Sequence, residues 1–459
     1  MMANQAAKVN VRAIDDLEDL ANVILASAKT VKSFLSDNKI PAPSFSVDAP
    51  SAFPECPQGV RDARNQLLDA SKKLHQLALG PIDHLIDYSC SYNVPNAFRW
   101  ISHYDVPAFV PINSDISYSD LAAKSGTNQD ITQRMLRYLM TSNIFHEPRP
   151  GFVAHTAGSK LLTVPGPRDL VYFATLESTP WAASYVETFD KWGCSEEPNE
   201  TAFNYTSGSS LPVYKAWDKD PVRGPRFGRG MDGFQSSSAY HTDHMIKGWD
   251  WQLLSPGSTV VDIGGSRGTV SYALARAFPN PKFVVQDLPE IVSKAQEQVG
   301  VEREVASRVS FVPHDFFGAQ PVQNAEVYFL RMILHNYSDK YAVKILQHLM
   351  PAMKKGPGGS KLLIADQVMQ PMLGSSSWDS GSVGSNGISA RDESAMRFLD
   401  LQMLIMLNAK EREMVDWEAL FRRASEGREE GVLQVTGHRK PEGGVHSIIV
   451  VELLPRGDE

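Results

Sequence analysis

Apolar residues recur three and four positions apart over residues 12–36, with Ile14, Leu17, Leu20, Val23 and Ile24 on one stripe. That period predicts a helix. The stretch DNKIPAPSFSVDAPSAFPECPQG, residues 37–59, is rich in proline and serine and reads as a linker. Helical spacing resumes over 59–87 through Leu67, Leu68, Leu74, Leu77 and Ile82. Residues 115–165 are compact. ISYSDLAAKSG has a Ser/Asp start signal and a glycine stop, NQDITQRMLRYLMTSNIF gives a second helix, and HEPRPGFVAHTAGSKLL reads as strand, Pro-Gly turn, strand. Helix, turn, helix and small hairpin form a winged-helix pattern.

Residues 169–255 are mostly helical in pattern, and the period changes at 258. STVVDI, KFVVQD, VSFVPHD, AEVYFLR and KLLIADQV are short β-branched runs, separated by helical stretches that include 268–278, 288–300 and 339–354. This alternation predicts an α/β fold with a doubly wound, Rossmann-like parallel sheet. LQVTGHRKPEGGVHSIIVVELL closes the chain as an antiparallel hairpin with Gly443 and Gly444 in its turn. GSSSWDSGSVGSNGIS, 374–389, reads as a surface loop. The expected division is a helix and linker over 1–58, a winged-helix-like module over 59–168 and the sheet domain over 169–459.

Composition narrows the function classes. Of 459 residues, 42% are apolar and 21% charged, as in ordinary globular proteins, and the net charge is −8 with no strong basic stripe. That disfavours nucleic acid as a partner, and the second helix of the winged module offers only Arg134 and Arg137. Cys56, Cys90 and Cys194 lie far apart, so neither a disulfide framework nor a metal-ligand spacing is expected. The start MMANQAAKVNVRAIDDLEDL lacks the basic flank and apolar block of a secretory signal, and no run of about 18 apolar residues suggests a membrane span. The expectation is a chain of the reducing cytoplasm.

VVDIGGSRG, 260–268, runs from a strand through a glycine turn into a helix. Gly264, Gly265 and Gly268 let backbone approach a ligand, but their spacing is neither G-x-G-x-x-G nor a Walker loop. A nicotinamide oxidoreductase is disfavoured on that ground. Asp287 ends the next strand, 23 positions after Gly264. An acid at that place can accept both ribose hydroxyls of a nucleoside. With Asp262 and Asp315, three successive strands end in acids, which favours a nucleoside site at one sheet edge.

DIGGSRG, QDLP, HDFF and LHNYSD, behind a winged-helix-like front half, together resemble the class I S-adenosylmethionine-dependent O-methyltransferases of the plant caffeate and fungal secondary-metabolite type. The resemblance spans roughly residues 60–455. It implies that S-adenosylmethionine is the cofactor, that Gly264 and Gly265 line its methionine part, and that Asp287 takes the ribose. It places Asp315 and Phe316 at the adenine and Arg331 as a basic residue near the cofactor. It also implies that Met231 and Phe234, after DPVRGPRFGRG, help close the pocket. The front half would make a homodimer.

His335 follows Arg331 by four residues, at the same sheet edge. A phenol of pKa near 10 is mostly protonated at neutral pH, so a base raises the reactive fraction, and histidine suits that task. The resemblance implies that Asp366 and Glu411 orient His335; it also implies an Asp where this chain has Asn336. The expected reaction is methylation of a hydroxyl on an aromatic or polyketide-like small molecule, with no metal. Phe398, Met403, Met406 and Leu407 are read as core or pocket lining. Two rivals stand beside this: a DNA-binding regulator, and a methyltransferase-fold enzyme that guides a pericyclic reaction without moving a methyl. Loss of His335 would have favoured the latter, and His335 is present.

Overall fold

The computed structural model describes Val11 and residues 14–235, 238–296, 302–371 and 389–456. Most of the 374–389 loop therefore lies outside the described residues. The chain forms two compact units. One gathers Met1–Ala183, Pro221–Gly233 and Met372–Phe398, and the other Ser184–Asp220, Phe234–Pro371 and Leu399–Glu459.

In the first unit the helix Leu17–Asp37 begins at Asp16, whose carboxylate accepts from the Glu18 and Asp19 amides. This capping satisfies donors that the first turn leaves open. The helix packs on Gln58–Cys90, with Leu20 and Ala70 fully buried between them. The long helix kinks at Gly80, which adopts φ +73° ahead of Pro81. Proline has no N–H to continue the ladder, and a left-handed residue suits glycine. Past the kink, Ile82, Leu85, Ile86, Tyr88 and Tyr92 are exposed.

The winged module has the expected order. Ser117 caps Tyr118–Ser125, Gly126 ends it in the left-handed conformation, and Asn128 caps Gln129–Met140. The wing gains a third piece: β1 (Ile116–Ser117) pairs antiparallel with β2 (Phe152–Val153), while His146 bridges Ala154. Ile101, Leu121, Leu136, Leu139, Phe145 and Val153 form its core. The two arginines of the second helix are committed within the unit, Arg134 to Asp130 and Arg137 to Glu147.

The second unit is built on a seven-stranded sheet. Its strands are β3 (Thr259–Ile263), β4 (Lys282–Asp287), β5 (Val309–Pro313), β6 (Val327–Arg331), β7 (Lys361–Asp366), β10 (Val432–Arg439) and β11 (Ser447–Leu454). Two further short strands, β8 (Val368–Met369) and β9 (Arg412–Glu413), pair with each other. The order is β10-β11-β7-β6-β3-β4-β5. β3 to β7 are parallel, and β11 is antiparallel to both β7 and β10. Both faces are covered. Val261, Leu330, Ile364 and Ile449 meet Leu346, Trp417 and Phe421 on one side, and Val285, Phe329, Leu363 and Ile448 meet Trp251 and Leu274 on the other. Burial on both faces is why these strands read as continuous apolar runs.

Successive connections run outward from β3 through β4 to β5, then return to β6 on β3's other flank. Strand order therefore reverses between β3 and β6. In open α/β sheets a ligand crevice opens there, beyond the carboxyl ends. Among the described residues, no helix is long and apolar enough to cross a membrane.

Candidate active site

At the end of β3, Gly264 takes φ +72° and its amide donates to the Gln286 carbonyl at 2.8 Å. A Cβ on Gly264 would lie 2.5 Å from Ile333 Cδ1, and one on Gly265 2.6 Å from the Asp262 carboxylate. The turn is thus packed against the floor beneath it and against the β6 loop beside it. Asp262 lies inside β3 rather than at its tip, buried under Gly265, and accepts from the Ser271 hydroxyl at 2.6 Å. Burial pushes its carboxyl up to about 6, against the Ser271 bond and the Arg331 charge. The sequence pattern of three acids at one edge is therefore half-buried Asp287, exposed Asp315 and one buried support.

Asp287 closes β4 with Oδ2 accepting from Ser266 N and Oδ1 from Leu288 N, at 2.9 and 2.8 Å. Each carboxylate oxygen can accept again. Burial raises its pKa against those two bonds. Asp315, just past β5, accepts from Phe317 N. The Phe316 ring meets Tyr337 edge-on at 5.7 Å, and Tyr337 also meets Phe317. Burial and then the charges of Tyr214, Asp315 and Asp287 hold the Tyr337 hydroxyl well above its usual range. Tyr337 therefore stands near both acids. It sits in the LHNYSD motif, yet only the fold shows its ring turned to this side.

β6 ends at Arg331, whose Cα pairs with Ala365. Its guanidinium is largely buried, and its Nε makes no hydrogen bond. Burial lowers its pKa, opposed by Asp262, Asp366 and Tyr240. The chain then turns sharply, with Met332 at φ +54°. Asn336 Nδ2 donates to the Met332 carbonyl at 2.8 Å and closes the turn.

His335 lies within this turn. Its Nδ1 is 2.8 Å from Glu411 Oε1, with 12% of the imidazole side chain exposed and 2% of the glutamate. A carboxylate only accepts, so Nδ1 carries the hydrogen and Nε2 keeps its lone pair. Burial pulls the His335 pKa down, but the charge and hydrogen bond of Glu411, with Asp366, outweigh it, and the net shift is upward. Glu411 N donates to Asp400, which fixes the glutamate backbone. Beside it, the fully buried Arg412 donates to the Leu334 and Tyr337 carbonyls and to Asp339. Glu411, just before β9, and Arg412, its first residue, thus hold the histidine ring and the turn that carries it.

Asp366 ends β7 fully buried, and neither oxygen makes a hydrogen bond of good geometry. Burial pushes it up to about 7, opposed by His335. It acts on the pair through charge and hydrogen-bonds neither member. Met403, Met406 and Leu407 are buried, and Phe398 is exposed. Met231 is partly buried on the helix Arg223–Gln235, and the side chain of Phe234 lies outside the described residues. Among the described residues no cluster could hold a metal ion.

Residues 191–425 match the family model described as O-methyltransferase domain, and residues 86–165 the O-methyltransferase dimerisation domain. The chain is 34% identical to O-methyltransferase pgmB of Aspergillus terreus, over 96% of each chain. This chain belongs to the O-methyltransferase family. Related members include O-methyltransferase aurJ of Gibberella zeae, 35% identical over 95% of this chain and 97% of the relative. A chlorophenol O-methyltransferase of Trichoderma longibrachiatum is 33% identical over 88% and 84%. OxaC, solved with sinefungin and meleagrin, shares the fold of this O-methyltransferase at TM-score 0.70 and 18% identity, over 95% of this chain and 98% of that one. A structure titled a pericyclic reaction enzyme shares it at 0.65 and 21%, over 95% and 100%.

Proposed function

We propose that the chain transfers a methyl group from S-adenosylmethionine to a hydroxyl of an aromatic or polyketide-like small molecule, with His335 as general base. The observation that carries this is the 2.8 Å bond from His335 Nδ1 to buried Glu411, four residues past Arg331 at the strand-order reversal. The residues fit the cofactor. Asp287 keeps acceptor capacity for two ribose hydroxyls, Phe316 and Tyr337 offer aromatic faces beside Asp315, and Arg331 Nε is a buried donor without a hydrogen bond, suited to a carboxylate. The bound cofactor supplies an electrophilic methyl on a sulfonium. The protein's part is alignment and proton removal. His335 Nε2 takes the hydroxyl proton, Glu411 stabilises the imidazolium that results, and Arg412 keeps the turn in place. The relative that acts on chlorophenols supports a phenolic acceptor.

His335→Gln is expected to leave cofactor affinity nearly intact and to cut turnover about 10²–10⁴-fold. Release of S-adenosylhomocysteine over time is the measurement. Undiminished release by the variant would remove the base role. Product formation without any release would turn the reading to a pericyclic reaction.

We also infer a homodimer through the front half. Ile82, Leu85, Ile86, Tyr88 and Tyr92 are exposed beside and within the segment matching the dimerisation domain, and a twofold partner would cover them. Light scattering should give twice 50.7 kDa at micromolar concentration. A mass of 50.7 kDa would refute it.

A further inference from the structure

The C-terminal hairpin brings one more histidine to the sheet edge. β11 is antiparallel to β7, so its first residues meet the last residues of β7, with Ser447 opposite Asp366. His446 precedes Ser447. Register fixes its face. Arg331 pairs with Ala365, and Ala365 with Ile448, so these three form a row across β6, β7 and β11 on one face. His446 is two residues before Ile448 and shares its face by strand alternation. It therefore lies one step beyond that row, outward past the carboxyl ends. The Val445 amide donates to the Ala239 carbonyl at 3.0 Å, which pins the hairpin turn to the segment before Tyr240. The Tyr240 ring meets His446 edge-on, with centroids 5.2 Å apart.

His446 is 5% exposed and hydrogen-bonds no other described residue. No nitrogen of its ring is among the fully buried atoms that lack a partner, so the ring keeps room for one from outside the chain. Apart from the Tyr240 phenol, the groups whose charge acts on it are Arg331, His335, His244 and Lys440, all cationic or able to become so. Burial and these charges keep the ring neutral. A neutral imidazole donates at one nitrogen and accepts at the other, so it suits an uncharged hydroxyl or carbonyl.

Position separates the two ligand ends. Ribose and adenine groups belong to β4 and β5, and the methyl end to β6. β11 lies four strands from β4. At about 4.8 Å per strand that is roughly 19 Å, out of reach of the nucleoside and on the acceptor's side. Given the methyl-transfer reading above, we propose that His446, backed by Tyr240, is a specificity residue that hydrogen-bonds a second oxygen of the acceptor, remote from the oxygen that His335 deprotonates. The favoured substrate class is then an aromatic ring system carrying at least two oxygen substituents.

The test uses 2-naphthol and the 1,3-, 2,6- and 2,7-dihydroxynaphthalenes as probes, with the full-length protein saturated in S-adenosylhomocysteine. Calorimetry of wild type should show at least one diol binding about five- to tenfold tighter than 2-naphthol, the worth of about one hydrogen bond. His446→Phe should erase that advantage and leave 2-naphthol binding and S-adenosylhomocysteine affinity unchanged. His446→Gln, which can still donate and accept, should recover part of it. In turnover the loss should fall on KM rather than kcat. Equal weakening of diol and mono-ol, a diol advantage that survives His446→Phe, or no diol advantage in wild type would each overturn the proposal. Binding here needs no methyl transfer. A diol advantage lost in His446→Phe, with no S-adenosylhomocysteine released by wild type from S-adenosylmethionine, would sink the methyl-transfer reading and keep this one.

Discussion

The two halves of the sheet edge are assembled in opposite ways. The half proposed to hold the nucleoside comes from consecutive chain: Gly264, Gly265, Asp287, Asp315 and Phe316 fall within 264–316, at the ends of three neighbouring strands. The half proposed to supply the base is gathered from afar. His335 meets a glutamate 76 residues on, Asp366 ends another strand, and His446 arrives by an antiparallel hairpin. The first half is held by backbone: Ser266 and Leu288 amides fix Asp287, and Gln286 carbonyl holds the glycine turn. The second is held by side chains, through Glu411 and Arg412. Backbone-held groups suit a cofactor common to many reactions. Side-chain-held groups can be exchanged one at a time as the acceptor changes.

Asp287→Ala tests the first half and carries the larger expected effect. Two charge-assisted acceptors are lost, at about 2–4 kcal/mol, which is roughly 30- to 1,000-fold in S-adenosylmethionine affinity. Calorimetry measures it, and melting temperature checks that the fold survives. Diol binding at the His446 side should persist. Unchanged cofactor affinity would end the assignment of Asp287.

Legibility follows the same division. The glycine turn, Asp287 and the alternation of strands and helices are local patterns, and they predicted the sheet and a nucleoside site at one of its edges, while the strand-order reversal came only with the structure. Asp262 was misread as an edge acid because sequence gives strand ends only to within a few residues. Its burial depends on Gly265 lying over it. Glu411 and Asp366 entered only through family resemblance, since nothing local ties them to His335. Arg412, Tyr240 and His446 gave no signal at all. A lone histidine in a hairpin looks like any other until antiparallel pairing carries it past the row of Arg331, Ala365 and Ile448. Tyr337 was within a quoted motif, but its direction depends on a turn with Met332 in the left-handed region.

Glu411→Gln probes the second half at a smaller scale. With His335 as the proposed base its reactive form is neutral, so kcat/KM should rise with pH through a midpoint above the ordinary 6.5, because the net shift is upward. Glutamine can still accept from Nδ1, which preserves the ring's orientation. It removes the charge, leaving burial as the largest influence on the imidazole. The midpoint should therefore move down, and the plateau rate should fall by about tenfold as the imidazolium loses its counter-charge. Asp366, raised to about 7, titrates in the same range, so the wild-type midpoint belongs to the cluster. A midpoint that stays put would mean that Glu411 does not set the base.

Asn336→Asp should give the smallest change and the opposite sign. Asn336 stands beside the base where the resemblance leads one to expect an acid. Its amide donates to Met332 O, which an ionised carboxylate cannot do. Losing that bond should cost about 1 kcal/mol at most, because the turn keeps the Arg412 bonds to Leu334 and Tyr337. The new negative charge favours the imidazolium, so the pH midpoint of kcat/KM should move up where Glu411→Gln moves it down. Plateau turnover should stay within about threefold, since a neighbouring charge changes when the base is available more than what it does once neutral. Paired pH profiles of the two variants measure this. Midpoints moving in the same direction would show that the rate reports a group other than His335, and the base half of the comparison would have to be rebuilt around that group.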